Sequence, residues 1–194
     1  MAQEPSGTAP PDVGAVVDIL SGGRPIAESL PSFEAFYAGE IGGLVTLAAG
    51  LCGRAQAEDV AQEAMLATYR RWRDVGRRDH PAAFARRVCA NLAVSAFRRR
   101  MVEVRAIVRL TDRTWTQARQ DVVGPTGADD EFWGRVTRLP RRQAQCIALR
   151  YVYGLDVAEI ARTLEITEGS AKVHLHRGRH TVAEQLGIEQ EEDR

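Results

Sequence analysis

The feature that most constrains the fold is a pair of short amphipathic helices near the C-terminus, in LDVAEIARTLEITEGSAKVHLHRGR (residues 155–179). Asp156 is predicted to cap the first helix, and Glu159, three residues on, can complete a capping box. Thr167 is placed to cap the second helix, because its hydroxyl can accept a hydrogen bond from the first turn. Two capped helices separated by so short a turn predict a helix-turn-helix unit.

The second of these helices has three distinct faces. One is apolar at helical spacing and is expected to be buried. Its members are Ala171, Leu175, Gly178 and Val182. The other two faces are polar and basic, which suits a helix that packs on its own domain and enters the major groove of a duplex. Ser170, Lys172 and His174 are candidates for contacts to base edges, and Arg177 and Arg179 for contacts to phosphates.

Interpretations that do not involve DNA also fit the same residues. A helical hairpin with a solvated basic face would give the same pattern. His176 and His180 are spaced as a possible pair of metal ligands, but no carboxylate or cysteine is well placed beside them, so we expect no metal and no cofactor. The three cysteines form no CxxC pair and are predicted to be reduced, buried thiols. They are Cys52, Cys89 and Cys146.

The formal net charge of zero conceals two basic blocks. Residues 70–119 carry 14 arginines and 4 acidic residues, and residues 135–182 carry 9 basic and 4 acidic residues. An acidic stretch, residues 120–134, separates them. A polyanion would contact one of the basic blocks rather than sense the net charge of the whole chain, so this distribution of charge favours binding to nucleic acid.

The periodicity along the chain predicts an all-α fold, two small helical domains joined by a flexible linker, because no stretch alternates like a strand. We expect a flexible tail over 1–31, domains over 32–101 and 130–187, a linker over 102–129 and an acidic tail over 188–194. Helices are predicted over 33–51, 57–72, 81–101, 129–137, 141–153, 156–164 and 168–186. No run of about 18 apolar residues and no signal-peptide pattern occur, so we expect no membrane insertion and a cytoplasmic protein.

The stretch LPRRQAQCIALRYVYGLDVAEIARTLEITEGSAKVHLHRGRHTVAEQL (139–186) resembles region 4 of bacterial sigma factors of the extracytoplasmic-function (ECF) group, in the sigma-70 family. The stretch AEDVAQEAMLATYRRW (57–72) resembles region 2.2 of that family. The family's Asp-x-x-Gln-Glu signature is present as Asp59, Gln62 and Glu63. The resemblance implies that these three residues dock on the coiled coil of the β′ subunit of RNA polymerase.

The stretch HPAAFARRVCANLAVSAFRRR (80–100) resembles regions 2.3 and 2.4, which in the family open and read the promoter −10 element. The resemblance implies that Arg87, Asn91, Arg98 and Arg99 contact −10 DNA from an outer helix face. The chain departs from the family pattern at several positions. They include Met65, Tyr69, Ser95 and Glu165. Glu165 stands where a glycine is usual in the helix-turn-helix turn, so we expect a slightly strained residue at positive φ.

The resemblance implies a sigma factor that directs RNA polymerase core to promoters, with region 2 melting the −10 element and region 4 binding the −35 element. The implied partners are core polymerase, through its β and β′ subunits, promoter DNA and an anti-sigma factor. The alternative is a helix-turn-helix regulator that binds duplex DNA without acting as a polymerase subunit. We expect no enzyme activity, because no paired carboxylates, nucleophile–base spacing or phosphate loop supports catalysis.

Overall fold

The computed structural model describes residues 32–111 and 128–187, and within these two ranges every regular element is an α-helix. The first range holds α1 (Phe33–Cys52), α2 (Arg54–Arg70), α3 (Trp72–Val75) and α4 (Pro81–Thr111). The second holds α5 (Ala128–Val136), α6 (Arg141–Tyr153), α7 (Val157–Leu164) and α8 (Glu168–Leu186). The predicted all-α class of two helical domains is confirmed; the predicted tails and residues 112–127 of the predicted linker lie outside the described residues.

The first unit is a bundle in which α1, α2 and α4 pack on one another. Leucines from α1 fill its centre, and small side chains from α2 and α4 let the helices approach closely. These buried residues include Leu44, Leu47 and Leu51 from α1, Ala61 and Ala64 from α2, and Ala85, Cys89 and Ala93 from α4. Each fully buried leucine stabilises the bundle by about 1.5–3 kcal/mol. All three cysteines are free and buried, as predicted.

The second unit packs α6 against α8, with the helix-turn-helix formed by α7 and α8. The predicted capping box is present: Asp156 Oδ1 accepts from Glu159 N at 2.8 Å, and Glu159 Oε2 accepts from Asp156 N at 2.7 Å. Thr167 Oγ1 caps α8 by accepting from Ser170 N at 3.2 Å. The predicted buried face of α8 is confirmed at all four positions.

Two details of the sequence prediction are wrong. Helix α4 continues to Thr111 rather than ending at Met101, because the arginines at its predicted end do not terminate a helix and no glycine or proline follows until Gly124. Helical spacing groups Tyr69 with the apolar residues Val60 and Met65 and so predicts its burial, but Tyr69 is 58% exposed. It lies in the last turn of α2, where its ring contacts that of Phe33 (centroids 4.9 Å apart) at the edge of the bundle.

Among the described helices, α1 has the length and mean hydropathy (1.4) of a helix that could cross a membrane. In this fold its Leu44, Leu47 and Leu51 are at most 1% exposed. A core helix meets the same test of length and composition, and the C-terminal half of α1 supplies buried residues to the core shared with α2 and α4.

The two units also pack against each other, and their buried residues form one continuous hydrophobic cluster. Helix α1 contacts α5 and α6, and α4 contacts α6 and α7. This packing matters for the site, because α4 carries the residues assigned to −10 DNA.

Candidate nucleic-acid interface

The outer face of α8 is open to solvent. Lys172, Arg177 and Arg179 are exposed, and Ser170 and His174 are partly buried at the N-terminal end. The Ser170 hydroxyl lies 2.8 Å from that of Thr167, so the α8 cap also fixes the orientation of Ser170. An open concavity of about 380 Å³ on this face is lined by Thr167, Gly169, Ser170, Val173 and His174.

Val173 shares this face with Ser170 and His174, as helical spacing predicts. Its side chain is 45% exposed between Ser170 and His174 on the helix surface. An exposed aliphatic group on a helix that enters the major groove can contact the methyl group of thymine. The exposure of Val173 is expected from the sequence, because Val173 falls outside the apolar repeat that forms the buried face of α8.

The histidines of α8 do not form a metal site with other ligands. The rings of His176 and His180 are 6.4 Å apart between centroids, and His180 Nδ1 lies 3.2 Å from Glu184 Oε2. Across residues 32–111 and 128–187, no group of three or more His, Cys, Asp or Glu side chains could hold a metal ion.

Helix α2 presents an acidic face made of Asp59, Gln62 and Glu63, all exposed. The apolar stripe on the opposite side of the helix is anchored in the bundle, so this acidic face is free of core packing. Leu66, one turn further along, is 48% exposed. A polar rim beside an exposed apolar side chain is the composition expected of a protein-docking surface.

Helix α4 carries the four residues assigned to −10 DNA, here called the α4 face: Arg87, Asn91, Arg98 and Arg99. Arg98 and Arg99 are exposed as expected. Arg87 and Asn91 are only partly exposed, because residues of the second unit lie against them. The Arg87 side chain is 20% exposed and forms an ion pair with Glu165 at the C-terminal end of α7. Asn91 accepts hydrogen bonds from α6.

Positive charge is concentrated around Arg87. Burial lowers the pKa of Arg87, and the neighbouring guanidinium groups of Arg78, Arg71 and Arg142 lower it further. The guanidinium carbons of Arg71, Arg78 and Arg87 lie 5.5, 5.7 and 5.6 Å from the centre of the Phe84 ring. A cleft of about 230 Å³ opens beside Phe84, between α4 and α7. Such crowding of like charges favours an anionic partner.

Comparison with known families accounts for both units. The family described as Sigma-70 region 2 matches residues 37–102, and the family described as Sigma-70, region 4 matches residues 130–182. Together the two matches cover more than half of the chain and coincide with the two packed units. The chain belongs to the sigma-70 family.

Curated relatives place the sigma factor in the ECF group. It is 27% identical over 143 residues to the ECF RNA polymerase sigma factor SigW of Bacillus subtilis (strain 168), covering 68% of this chain and 75% of SigW. It is 30% identical over 143 residues to the ECF RNA polymerase sigma factor BldN of Streptomyces coelicolor (strain ATCC BAA-471 / A3(2) / M145), covering 69% of this chain and 52% of BldN.

The fold of the sigma factor is also that of a solved relative. The sigma factor RpoE of Bartonella quintana, crystallised in complex with the anti-sigma factor NepR, superposes with a TM-score of 0.61 at 17% identity. The superposition covers 81% of this chain and 98% of RpoE.

The function of this ECF sigma factor is to direct RNA polymerase to promoters. Sigma factors are regulatory subunits of the polymerase rather than enzymes, and the polymerase on which the relatives act is cytoplasmic in bacteria. Nothing in these similarities favours the alternative of a helix-turn-helix regulator that works without polymerase.

The residues through which the two units touch carry no sequence signal that singles them out for this role. Tyr153 and Trp133 pack on α1, and Arg141 and Gln145 contact Asn91. Glu165, which pairs with Arg87 across the same contact, is the one residue there that stands out in the sequence, because it occupies a turn position where glycine is usual.

Proposed function

We propose that the sigma factor divides promoter recognition among three surfaces. The acidic face of α2 (Asp59, Gln62 and Glu63) docks on the β′ subunit of core polymerase, with Leu66 as an apolar anchor beside it. The observation that carries this assignment is that all three polar residues are exposed on one side of a helix whose other side is fixed in the bundle. Exposed charges at the rim of an interface set its orientation and its rate of association.

The α4 face recognises the −10 element. Asn91 can pair with a base edge once a base leaves the stack, and Arg87, Arg98 and Arg99 can contact phosphates. Extruding a base from the duplex costs a few kcal/mol, which contacts to the backbone must offset. The concentration of positive charge around Phe84 supplies such contacts.

The outer face of α8 recognises the −35 element. Ser170, Lys172 and His174 are assigned to base edges, since they lie in the N-terminal half of the helix that enters the groove. Arg177 and Arg179, further along and exposed, are assigned to phosphates. Region 4 also contacts the β subunit in this proposal.

The remaining assignments follow from the family. An anti-sigma factor binds this protein, as NepR binds RpoE in the relative's crystal structure. The protein has no catalytic activity of its own and acts in the cytoplasm.

The division of labour is tested by a pair of charge-matched double variants. Asp59→Ala with Glu63→Ala should reduce binding to core polymerase by about tenfold or more, because two charges at a docking surface are lost. The control, Asp74→Ala with Glu103→Ala, removes the same charge from exposed positions away from the acidic face. Pull-down with core polymerase measures the first surface, and run-off transcription from a promoter library measures productive initiation.

Two outcomes would contradict the proposal. Equal loss of core binding in both double variants would mean that net charge, not the acidic face, controls docking. If the unmodified protein did not bind core polymerase, the result would favour the alternative, a regulator that binds duplex DNA without polymerase. The affinity for an isolated −35 duplex serves as the internal reference, because neither double variant changes a residue of α8.

A further inference from the structure

A group of aromatic side chains lies at one end of the first unit, where α1 begins and α2 ends. It is called here the aromatic patch and consists of Phe33, Tyr37 and Tyr69. The Phe33 ring contacts the rings of Tyr37 and Tyr69, with centroids 6.3 and 4.9 Å apart. Tyr37 is 38% exposed and Tyr69 is 58% exposed. Large rings with a polar tip are the side chains that contribute most to protein interfaces, so the patch has the composition of a docking surface.

The aromatic patch rests on a fixed base. The ring of Trp72 contacts Phe36 and Phe33, with centroids 4.8 and 5.2 Å apart. Trp72 is 9% exposed and forms a small buried cluster with Val75 and Phe84, separate from the main core. Because the rings beneath the patch are held in this cluster, an apolar partner meets a surface that is already ordered, which reduces the entropy lost on binding.

The rim of the aromatic patch is basic. Residues 70–78, which follow Tyr69 directly, carry five arginines and one aspartate. Arg70 and Arg73 are exposed, while the guanidinium carbons of Arg71 and Arg78 lie 5.5 and 5.7 Å from the centre of the Phe84 ring, beneath the patch. A partner that combines apolar anchors with acidic side chains would complement both the rings and their rim.

The chain itself contains a segment with this combination. Residues 1–31 lie outside the described ranges, but their sequence reads DVGAVVDIL over positions 12–20. Its aliphatic residues follow the i, i+3, i+4, i+7 spacing of an amphipathic helix that lays one face in an apolar groove. They are Val13, Val16, Val17 and Leu20. Asp12 stands immediately before the first of them, in the position of a helix N-cap.

The connection to α1 places this segment close to the aromatic patch. Residue 31 precedes Ser32, which caps α1, and Phe33 of the patch follows directly. The eleven residues 21–31 can span at most about 40 Å when extended, which is ample for a return to the patch. So short a tether keeps the segment at an effective concentration on the order of millimolar. Residues 1–31 also carry four acidic residues and one arginine, opposite in sign to the rim.

We propose that residues 13–20 dock as an amphipathic helix on the aromatic patch of the same chain. The four aliphatic anchors lie against the rings, and Asp12 and Asp18 face the arginines of the rim. The segment lies beside the acidic face of α2 rather than over it, because Asp59 precedes Tyr69 by ten residues, about 15 Å along the helix. The inference goes beyond the proposed function and does not depend on it.

The test uses the full chain and two charge-matched double variants. Val16→Asp with Val17→Asp places two carboxylates among the anchors, whereas Gly14→Asp with Ala15→Asp adds the same charges on the other side of the helix. Amide hydrogen exchange measured by mass spectrometry reports the protection of residues 13–20 and of the first turn of α1. A helix end opens locally unless a partner covers it, so both regions respond to docking.

We expect both regions to exchange about tenfold faster in the Val16/Val17 variant than in the Gly14/Ala15 variant. Equal rates in the two variants would overturn the inference. From the side of the patch, Tyr69→Ser should remove the protection of residues 13–20. Tyr151→Ser, which removes a ring of similar exposure (54%) from the second unit, should leave that protection in place. Equal effects of the two tyrosine substitutions would also contradict the docking.

Two other occupants of the aromatic patch give different results. If a second copy of the chain covers the patch, protection rises with protein concentration and persists in the Val16/Val17 variant. If polymerase covers it, protection appears only when core polymerase is added. Either result would overturn the inference. The Asp59/Glu63 variant, which tests docking on polymerase, leaves the aromatic patch intact, so failure of the proposed function is distinguished from failure of this docking.

Discussion

Replacing Glu165 by glycine should separate two effects that meet at the turn between α7 and α8. Glu165 has φ 52° and ψ 52° and is the one non-glycine residue at positive φ in the described ranges. An L-residue in this conformation costs roughly 1–2 kcal/mol, and glycine avoids that steric cost but loses more backbone entropy on folding. The Glu165 backbone N–H donates to the carbonyls of Ala161 and Arg162, and substitution leaves these bonds in place.

The carboxylate of Glu165 contributes separately through its ion pair with Arg87. Because the Glu165 side chain is 64% exposed, solvent screens the pair and its contribution is about 0–1 kcal/mol. Glu165→Gln loses the pair and keeps the strained backbone, whereas Glu165→Gly loses the pair and relieves the strain. The glycine variant should therefore be more stable than the glutamine variant by about 1 kcal/mol.

Urea denaturation followed by circular dichroism measures this difference directly. In thermal unfolding, the same difference of about 1 kcal/mol should appear as a shift of roughly 2–4 °C in Tm for a protein of this size. Glu165→Asn should fall between the two, because asparagine tolerates the left-handed conformation better than glutamine. A glycine variant no more stable than the glutamine variant would refute the assignment of strain to this turn.

Two further outcomes are expected. Arg177→Ala should weaken binding of α8 to all duplex sequences and reduce the slope of log affinity against log salt by about 1; a loss confined to one class of sequences would instead assign Arg177 to base reading. The buried thiols should resist alkylation in the native protein, since burial raises the pKa of Cys52 to about 11, of Cys89 to about 12 and of Cys146 to about 11. Because the unfolded thiols ionise near pH 8.5, their contribution to the free energy of unfolding should be constant below that pH and decline as the pH rises towards 11; rapid alkylation at pH 8 without urea would contradict their burial.

Local sequence signals predicted the second unit in detail. The capping box of Asp156, the Thr167 cap, the buried face of α8 and the positive φ of Glu165 all depend on residues within a few positions of one another. Helix periodicity and capping are local properties, so one sequence suffices to predict them.

The contacts between the units could not be predicted in the same way. The pairing of Asn91 with Gln145 joins residues 54 positions apart, and a glycine in α1 gives no sign of which aromatic ring will cover it. Helical spacing placed Arg87 and Asn91 on one side of α4 but could not say that another unit packs there. The end of α4 differs from the prediction for a simpler reason: a cluster of arginines does not end a helix, because arginine is a good helix former.

The glycines of α1 bear on the exchange of parts between sigma factors. A hybrid of residues 32–111 with region 4 of a relative would keep the acidic face of α2, which is proposed to dock on polymerase, and take its −35 reader from the relative. It would also place unfamiliar side chains over the bare backbone at Gly43 and Gly50, where Tyr153 and Trp133 now fit. The two halves of this protein therefore fit each other sterically at these positions, and an engineer who exchanges regions must carry the two aromatic residues along with the helix that accommodates them.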